Sequence, residues 1–117
     1  PGRAAATRLR LADLKIEYEV GRMLAYRVAW LQSRGAVPNY EASLSKMFGS
    51  ELAQRLARAG MQILGLGGQL APGSPWAPLR GRIENAYLQS AALTIAAGTT
   101  EINRGIIATR GLGLPRD

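Results

Sequence analysis

Four residues near the C-terminal end of this 117-residue sequence, Gly98-Thr99-Thr100-Glu101, form a polar corner between two apolar segments. At the start of a helix, such a corner offers free backbone N–H groups and two hydroxyls, which can bind a carbonyl, a phosphate or the edge of a cofactor ring. Thr99 is also a favourable N-cap, and Glu101 lies in the first turn, where the helix dipole favours a carboxylate. From these residues alone, the corner is either a capped helix start or a ligand site.

A second candidate is the glycine-rich turn that begins at Gln62 and ends at Gly68. Glycines at the end of a helix let another chain or a ligand come close to the backbone, but they also serve as ordinary C-caps. The turn does not match a dinucleotide or phosphate-loop fingerprint, because no strand precedes it and no lysine follows it.

The inventory of reactive side chains is small. The sequence has no cysteine and no histidine, which excludes thiol catalysis and removes the commonest general base and metal ligand. Its eight acidic residues do not form a cluster that the sequence places at a pocket. We therefore predict no metal site and no complete active site built from this chain alone.

Charge and hydropathy limit the possible partners. The net charge is +7, but the 13 arginines are dispersed along the chain, so a solvated basic surface is favoured over a polyanion groove. A basic helical nucleic-acid-binding domain is a remote alternative, because it would need clustered arginines on a short recognition helix. No apolar run reaches the roughly 18 residues of a membrane span. The expected location is cytoplasmic.

The elements that must position these residues are helices. Hydrophobic periodicity predicts an all-α domain of the up-down bundle type, with two long antiparallel helices followed by two shorter ones. The expected helices run from Thr7 to about Ser33, from about Tyr40 to Leu64, from about Leu79 to Ile95, and onward from the Thr99 N-cap. The segment 65–78, rich in glycine and proline, is expected to have no regular structure.

Two features of the long helices predict close packing. The first helix has two apolar sets on different faces, so it is expected to pack inside its domain and also against another surface. The sets are Leu9, Ala12, Ile16, Val20, Met23 and Leu11, Leu14, Tyr18, Ala25, Val28, Leu31. The second helix has a stripe of small residues, which lets another helix approach closely: Ala42, Gly49, Ala53, Ala57, Gly60.

Three stretches together resemble a known family. "TIAAGTTEINRGIIATRGLGLPR" is similar to the C-terminal signature of flavin-dependent acyl-CoA dehydrogenases. "EASLSKMFGSELAQRLARAGMQILG" and "LADLKIEYEVGRMLAYRVAW" resemble the two long helices that precede this signature in the family. The resemblance implies that residues 1–117 are the C-terminal helical domain of a larger three-domain chain. The family's first C-terminal helix has no counterpart before Pro1.

The resemblance also implies the cofactor, the partners and the site residues. Family members bind FAD between subunits, act on acyl-CoA thioesters and assemble as dimers or tetramers. Gly98 matches the position beside the thioester, and Thr99, Thr100 and Glu101 match positions that touch the flavin cofactor. The turn that meets the ADP half of a neighbour's FAD carries over to Gln62, Ile63, Leu64, Gly65 and Leu66. The family usually has a second glycine where this chain has Leu66.

The base of the reaction is missing from its usual place. In the family, a carboxylate removes the α-proton of the acyl group, and many members carry this glutamate immediately before the Gly-Thr pair. Here the position is Ala97, so we expect no catalytic residue on this chain. The base is then expected on an upstream helix, or the chain is a non-catalytic partner subunit of a heteromeric acyl-CoA dehydrogenase.

Overall fold

The computed structural model describes residues 2–116 and contains four α-helices and no strand within that range. The helices are α1 (Arg3–Ser33), α2 (Tyr40–Leu64), α3 (Arg82–Leu93) and α4 (Thr100–Ile106). Two 3₁₀ turns, Gly65–Gln69 and Pro78–Gly81, connect α2 to α3, and a π-helical turn, Ile107–Gly111, continues α4. The predicted all-α, four-helix class is confirmed, and α2 has the predicted bounds.

Helix α2 is the central element, and its contacts fix the direction of α1 and α3 and the place of α4. Glu17 on α1 pairs with Arg55, and Arg27 pairs with Glu41, so α1 and α2 run antiparallel as predicted. Gln54 bonds Ser90 and Thr94, while Gly60 packs on Ile83, so α3 is also antiparallel to α2. Gly98 lies beside Lys46, whereas Gly111 packs on Tyr40, so the segment that contains α4 leads back toward the N-terminal end of α2.

The predicted small stripe of α2 has one confirmed close approach. A Cβ atom added to Gly60 would lie 2.9 Å from Ile83 Cγ2, which leaves no room for a side chain. At Gly49, by contrast, an added Cβ would meet nothing within 4 Å. Of the two glycines in the stripe, Gly60 therefore lies at a close approach of α3, and Gly49 does not.

Three predicted boundaries were wrong for local reasons. Helix α1 begins at Arg3 rather than Thr7, because Ala4–Ala6 are strong helix formers. Helix α3 begins at Arg82 rather than Leu79, because Leu79, Arg80 and Gly81 have left-handed φ angles of 52°, 58° and 73°. It also ends at Leu93, two residues before the predicted end.

The prediction that residues 65–78 lack regular structure was wrong for their first five residues. Gly65, at φ +59°, ends α2, and the chain then forms the 3₁₀ turn Gly65–Gln69. Gly68 in this turn is buried, and an added Cβ would lie 3.3 Å from the Met61 carbonyl oxygen. The turn is thus folded tightly onto the end of α2.

The buried core is small for the apolar content. Leu14, Leu52 and Ala59 form its centre, with Phe48 packed against them. On α1, the set that contains Leu14 faces α2 in part. In the other set, the four large apolar side chains Leu9, Ile16, Val20 and Met23 are 45–70% exposed. The two-faced character predicted for α1 is therefore present in the structure.

Candidate functional site

The backbone of the Gly98–Glu101 corner has an unusual conformation. Ala97 and Gly98 have consecutive positive φ angles of 55° and 95°, and a positive φ is uncommon for a residue with a side chain. The chain then enters α4 through the predicted cap, because the Thr99 hydroxyl accepts a hydrogen bond from Ile102 N at 3.3 Å. Backbone N–H groups in the first turn of a helix have no partner within the helix, so that of Thr100 is available to a ligand.

Two side chains hold the corner from the inside. Lys46 Nζ on α2 donates to the Gly98 carbonyl oxygen at 2.5 Å. Asn103 is 4% exposed, and its Nδ2 donates to the carbonyl oxygens of Gly98 at 3.0 Å and Thr99 at 2.9 Å. The path of the chain at the corner is therefore fixed by contacts from both α2 and α4.

A polar cleft of about 400 Å³ lies between the corner, α2 and the end of α3. Glu51 is paired across it with Arg55 at 3.8 Å and Arg104 at 3.5 Å. The cleft is thus lined by a mixed but basic set of side chains: Glu51, Gln54, Arg55, Arg58, Thr94, Thr100, Glu101, Arg104. With three arginines and two acids, it carries a net formal charge of +1.

The Glu101 carboxyl group is exposed at the first turn of α4. Its own backbone N–H, and then the Thr99 hydroxyl, hold the pKa of this carboxyl below its ordinary value. Because a lowered pKa means weaker proton affinity, Glu101 is suited to a permanent negative charge rather than to proton abstraction.

The second predicted set, at the end of α2, is not brought together with the corner. Lys46 and Gln62 are sixteen residues apart on α2, which separates the two sets by roughly 24 Å along the helix axis. Gln62 is exposed, Ile63, Leu64 and Gly65 are half-buried, and Leu66 is 83% exposed. The structure therefore places the two predicted sets at different ends of α2.

Sequence reasoning missed several residues that shape the corner and its cleft. Lys46 lies on an apolar-patterned helix with no local signal that it meets Gly98, and the bonds of Asn103 to the corner were not predicted either. The partners of Arg55 and Arg104 also come from other helices, Glu17 on α1 and Glu51 on α2. The Asn103 bonds are local, four and five positions apart, whereas the contacts of Lys46, Arg55 and Arg104 join residues 38 to 53 positions apart, so only the tertiary arrangement reveals these three.

Comparison with known proteins defines the class to which this fold and corner belong. A family model described as "Acyl-CoA dehydrogenase, C-terminal domain" matches residues 1–112. The chain therefore belongs to the acyl-CoA dehydrogenase family, as the C-terminal helical domain of that family.

Individual relatives agree with this assignment. The chain is 40% identical to acyl-CoA dehydrogenase FadE26 of Mycobacterium tuberculosis over 92% of its own length and 28% of the relative's. It is 31% identical to the probable acyl-CoA dehydrogenase YngJ of Bacillus subtilis, over 88% of its own length and 25% of the relative's. This chain thus spans about a quarter of the length of these relatives.

Solved structures share the fold. The ChsE4-ChsE5 complex from Mycobacterium tuberculosis superposes with a TM-score of 0.86 at 37% identity, over 95% of this chain and 29% of that one. The Tcur3481-Tcur3483 steroid ACAD superposes with a TM-score of 0.90 at 32% identity, with the same coverage. Both are named as pairs of chains.

Two further findings concern metal and membrane. Among residues 2–116, no group of three or more acidic side chains is placed to hold a metal ion. None of the helices described is long and apolar enough to cross a membrane.

Proposed function

We propose that this domain acts as the C-terminal part of an FAD-dependent acyl-CoA dehydrogenase, which introduces an α,β double bond into an acyl-CoA thioester. Its contribution is a set of contacts to FAD and a surface for assembly of subunits. The observation that carries this proposal is the Gly98–Glu101 corner, a strained backbone segment fixed by Lys46 and Asn103 beside a basic cleft.

The residues of the cleft fit a phosphate-bearing cofactor. Arg55, Arg58 and Arg104 line it, and the guanidinium group is suited to phosphate oxygens. Thr100 adds a hydroxyl and a free backbone N–H at the same wall. When bound, the flavin supplies the acceptor for the hydride that leaves the substrate; this chain's part is to bind and orient.

The turn at the end of α2 would serve a second cofactor. Gln62 to Leu66 lie roughly 24 Å along α2 from the corner, and the exposed Gln62 amide offers both donors and an acceptor. We therefore assign the corner to one FAD and the Gln62–Leu66 turn to the FAD of a neighbouring subunit. This arrangement requires at least two subunits.

An apolar groove along α1 is the proposed assembly surface. It has a volume of about 890 Å³ and lies along one side of α1, where charged Lys15, Glu19 and Arg27 flank the apolar side chains Ile16, Val20, Met23, Leu24, Tyr26 and Trp30. A contiguous apolar patch of this kind on a soluble domain marks an interface. It could be covered by another subunit or by a further helix of the same protein.

A second candidate function is a non-catalytic subunit of a heteromeric acyl-CoA dehydrogenase. The specific observation in its favour is Ala97, whose methyl group occupies the place of the family's glutamate base and cannot accept a proton. The similarity to two structures that are named as pairs of chains supports the same reading.

The two functions differ in what the full-length protein does alone. The test is to purify the full-length protein, record its flavin absorbance after gel filtration, and add acyl-CoA thioesters of different acyl groups without oxygen. We expect bound FAD that is bleached by an acyl-CoA. Bleaching that needs co-expression with a related subunit would favour the second candidate, and a protein that never retains flavin would contradict both.

A further inference from the structure

The Gly98 carbonyl group receives two donors from different helices. Lys46 Nζ lies at 2.5 Å and Asn103 Nδ2 at 3.0 Å from its oxygen. A charge-assisted bond of this length is stronger than a neutral one. None of the ion pairs found in residues 2–116 includes Lys46, so the ammonium group of this half-buried side chain is directed at the corner rather than at a carboxylate.

The position of this carbonyl fixes the direction of the next N–H group. The peptide between Gly98 and Thr99 is trans, and in a planar trans peptide the C=O and N–H bonds point in opposite directions. Because the Gly98 oxygen points toward Lys46 on α2, the Thr99 N–H points away from α2, to the outer side of the corner. If the peptide rotated, this donor would turn with it.

The Gly98–Thr99 peptide can adopt other orientations unless contacts hold it. Gly98 at φ +95° lies in a region that glycine enters and leaves freely, and Ala97 before it is in the left-handed region that a side chain disfavours. Neither residue is inside a regular helix. The Lys46 and Asn103 bonds are therefore what select this conformation over others.

We propose that Lys46 is a positioning residue of the acyl-CoA dehydrogenase site: through the Gly98 carbonyl it fixes the peptide that lies between thioester and flavin. This inference rests on the proposed function, which assigns the corner to FAD, and on the resemblance, which implies that Gly98 lies beside the thioester and Thr99 touches the flavin. Lys46 itself touches neither. Its effect is on the orientation of the Thr99 N–H and on the entry of the chain into α4.

The test uses the full-length protein, with its partner subunit if it has one, and the variants Lys46→Met, Lys46→Arg and Arg8→Met. Arg8→Met is the matched control, because it also removes a cation, from an exposed site on α1. The first readout is hydrogen exchange of protected amides at the corner in the flavin-free protein. The informative amides are those of Ile102 and Asn103, which bond Thr99 Oγ1 and Thr99 O at the corner. We expect their exchange to be at least about 10-fold faster in Lys46→Met, with wild-type rates in Arg8→Met.

The second readout separates positioning from stability. We expect Lys46→Met to lower kcat for acyl-CoA oxidation by about 10- to 100-fold, with KM changed less than about threefold and flavin still bound. Lys46→Arg keeps a charged donor and should restore most of the lost activity. If Lys46→Met does not fold, Lys46→Arg serves as the test. Loss of activity in folded Lys46→Arg would then overturn the inference.

The outcomes distinguish this inference from the function on which it rests. A Lys46→Met protein with wild-type exchange and kcat, or one in which only the melting temperature falls, would overturn the role of Lys46 alone. A wild-type protein that binds no flavin would contradict the proposed function and the inference together.

Discussion

At the scale of single residues, Ala97 and Glu101 determine whether the corner supplies a base. Ala97 has no proton affinity, and the lowered pKa of the Glu101 carboxyl makes it a weak acceptor at neutral pH. We predict that Glu101→Gln in the full-length protein lowers acyl-CoA oxidation by less than about 10-fold, since loss of a true general base costs about 10² to 10⁴.

The assay measures kcat with flavin content confirmed by absorbance. Ala97→Glu provides the reference for what a carboxylate contributes at the usual position of the base. A loss greater than about 10³-fold in Glu101→Gln, with flavin still bound, would make Glu101 the base and refute the assignment.

The Thr99 cap links the pKa of Glu101 to stability. The folded-state pKa of Glu101 is lowered from its ordinary value of 4.5. Ionised Glu101 therefore stabilises the fold above pH 4.5, and this stabilisation is lost as the pH falls through the folded-state pKa. Thr99→Val removes the hydroxyl, so we predict a loss of about 1 kcal/mol of unfolding free energy at pH 7 and a pKa of Glu101 closer to 4.5.

An NMR titration of the Glu101 side chain, with urea denaturation at pH 7 and pH 3, checks both effects. Thr109→Val is the matched control, because the Thr109 hydroxyl bonds Gly105 O at 2.8 Å and lies ten residues beyond the cap. An unchanged pKa of Glu101 in Thr99→Val would show that the hydroxyl does not hold this carboxylate.

At the scale of elements, two glycines of α2 have opposite roles. Gly60→Ala forces a Cβ within 2.9 Å of Ile83 Cγ2, which is an overpacking cost of about 1–3 kcal/mol. Gly49→Ala meets nothing within 4 Å and gains helix propensity of about 1 kcal/mol. Thermal or urea unfolding should therefore show Gly49→Ala to be more stable than wild type, and Gly60→Ala to be less stable. Equal stability of the two variants would show that α3 does not depend on close approach at Gly60.

The elements also show what sequence patterns can and cannot predict. Hydrophobic periodicity predicted the bounds of α2, and the type of residue 99 predicted the cap. Both depend on residues within a few positions of each other. The start of α3 was missed, because the left-handed Leu79 and Arg80 have no propensity signal. Lys46 at the Gly98 carbonyl was missed for a different reason: the bond spans 52 positions and exists only once α2 and α4 lie side by side.

At the scale of the whole molecule, the exposed groove on α1 predicts association. Val20 lies in the groove, whereas Val37 lies in the loop between α1 and α2 and is 88% exposed. We predict that Val20→Asp weakens self-association or docking of the domain by at least about 10-fold in the dissociation constant, since a charge in an apolar interface must be desolvated.

Val37→Asp adds the same charge outside the groove and should leave the association unchanged. Sedimentation velocity over a range of protein concentrations measures both variants. A wild-type domain that stays monomeric at high concentration would contradict the interface between subunits, as would equal behaviour of the two variants.

The central claim, that the Gly98–Glu101 corner contacts FAD, is tested most directly by the flavin content of the full-length protein with a bulky residue at Thr100. Thr100 lines the basic cleft, whereas Thr109 lies on the π-helical turn that follows α4. Thr100→Trp should lower retained FAD by at least about 10-fold, equivalent to about 1.4 kcal/mol, while Thr109→Trp keeps the wild-type amount. Stoichiometric FAD in a folded Thr100→Trp protein would contradict the account.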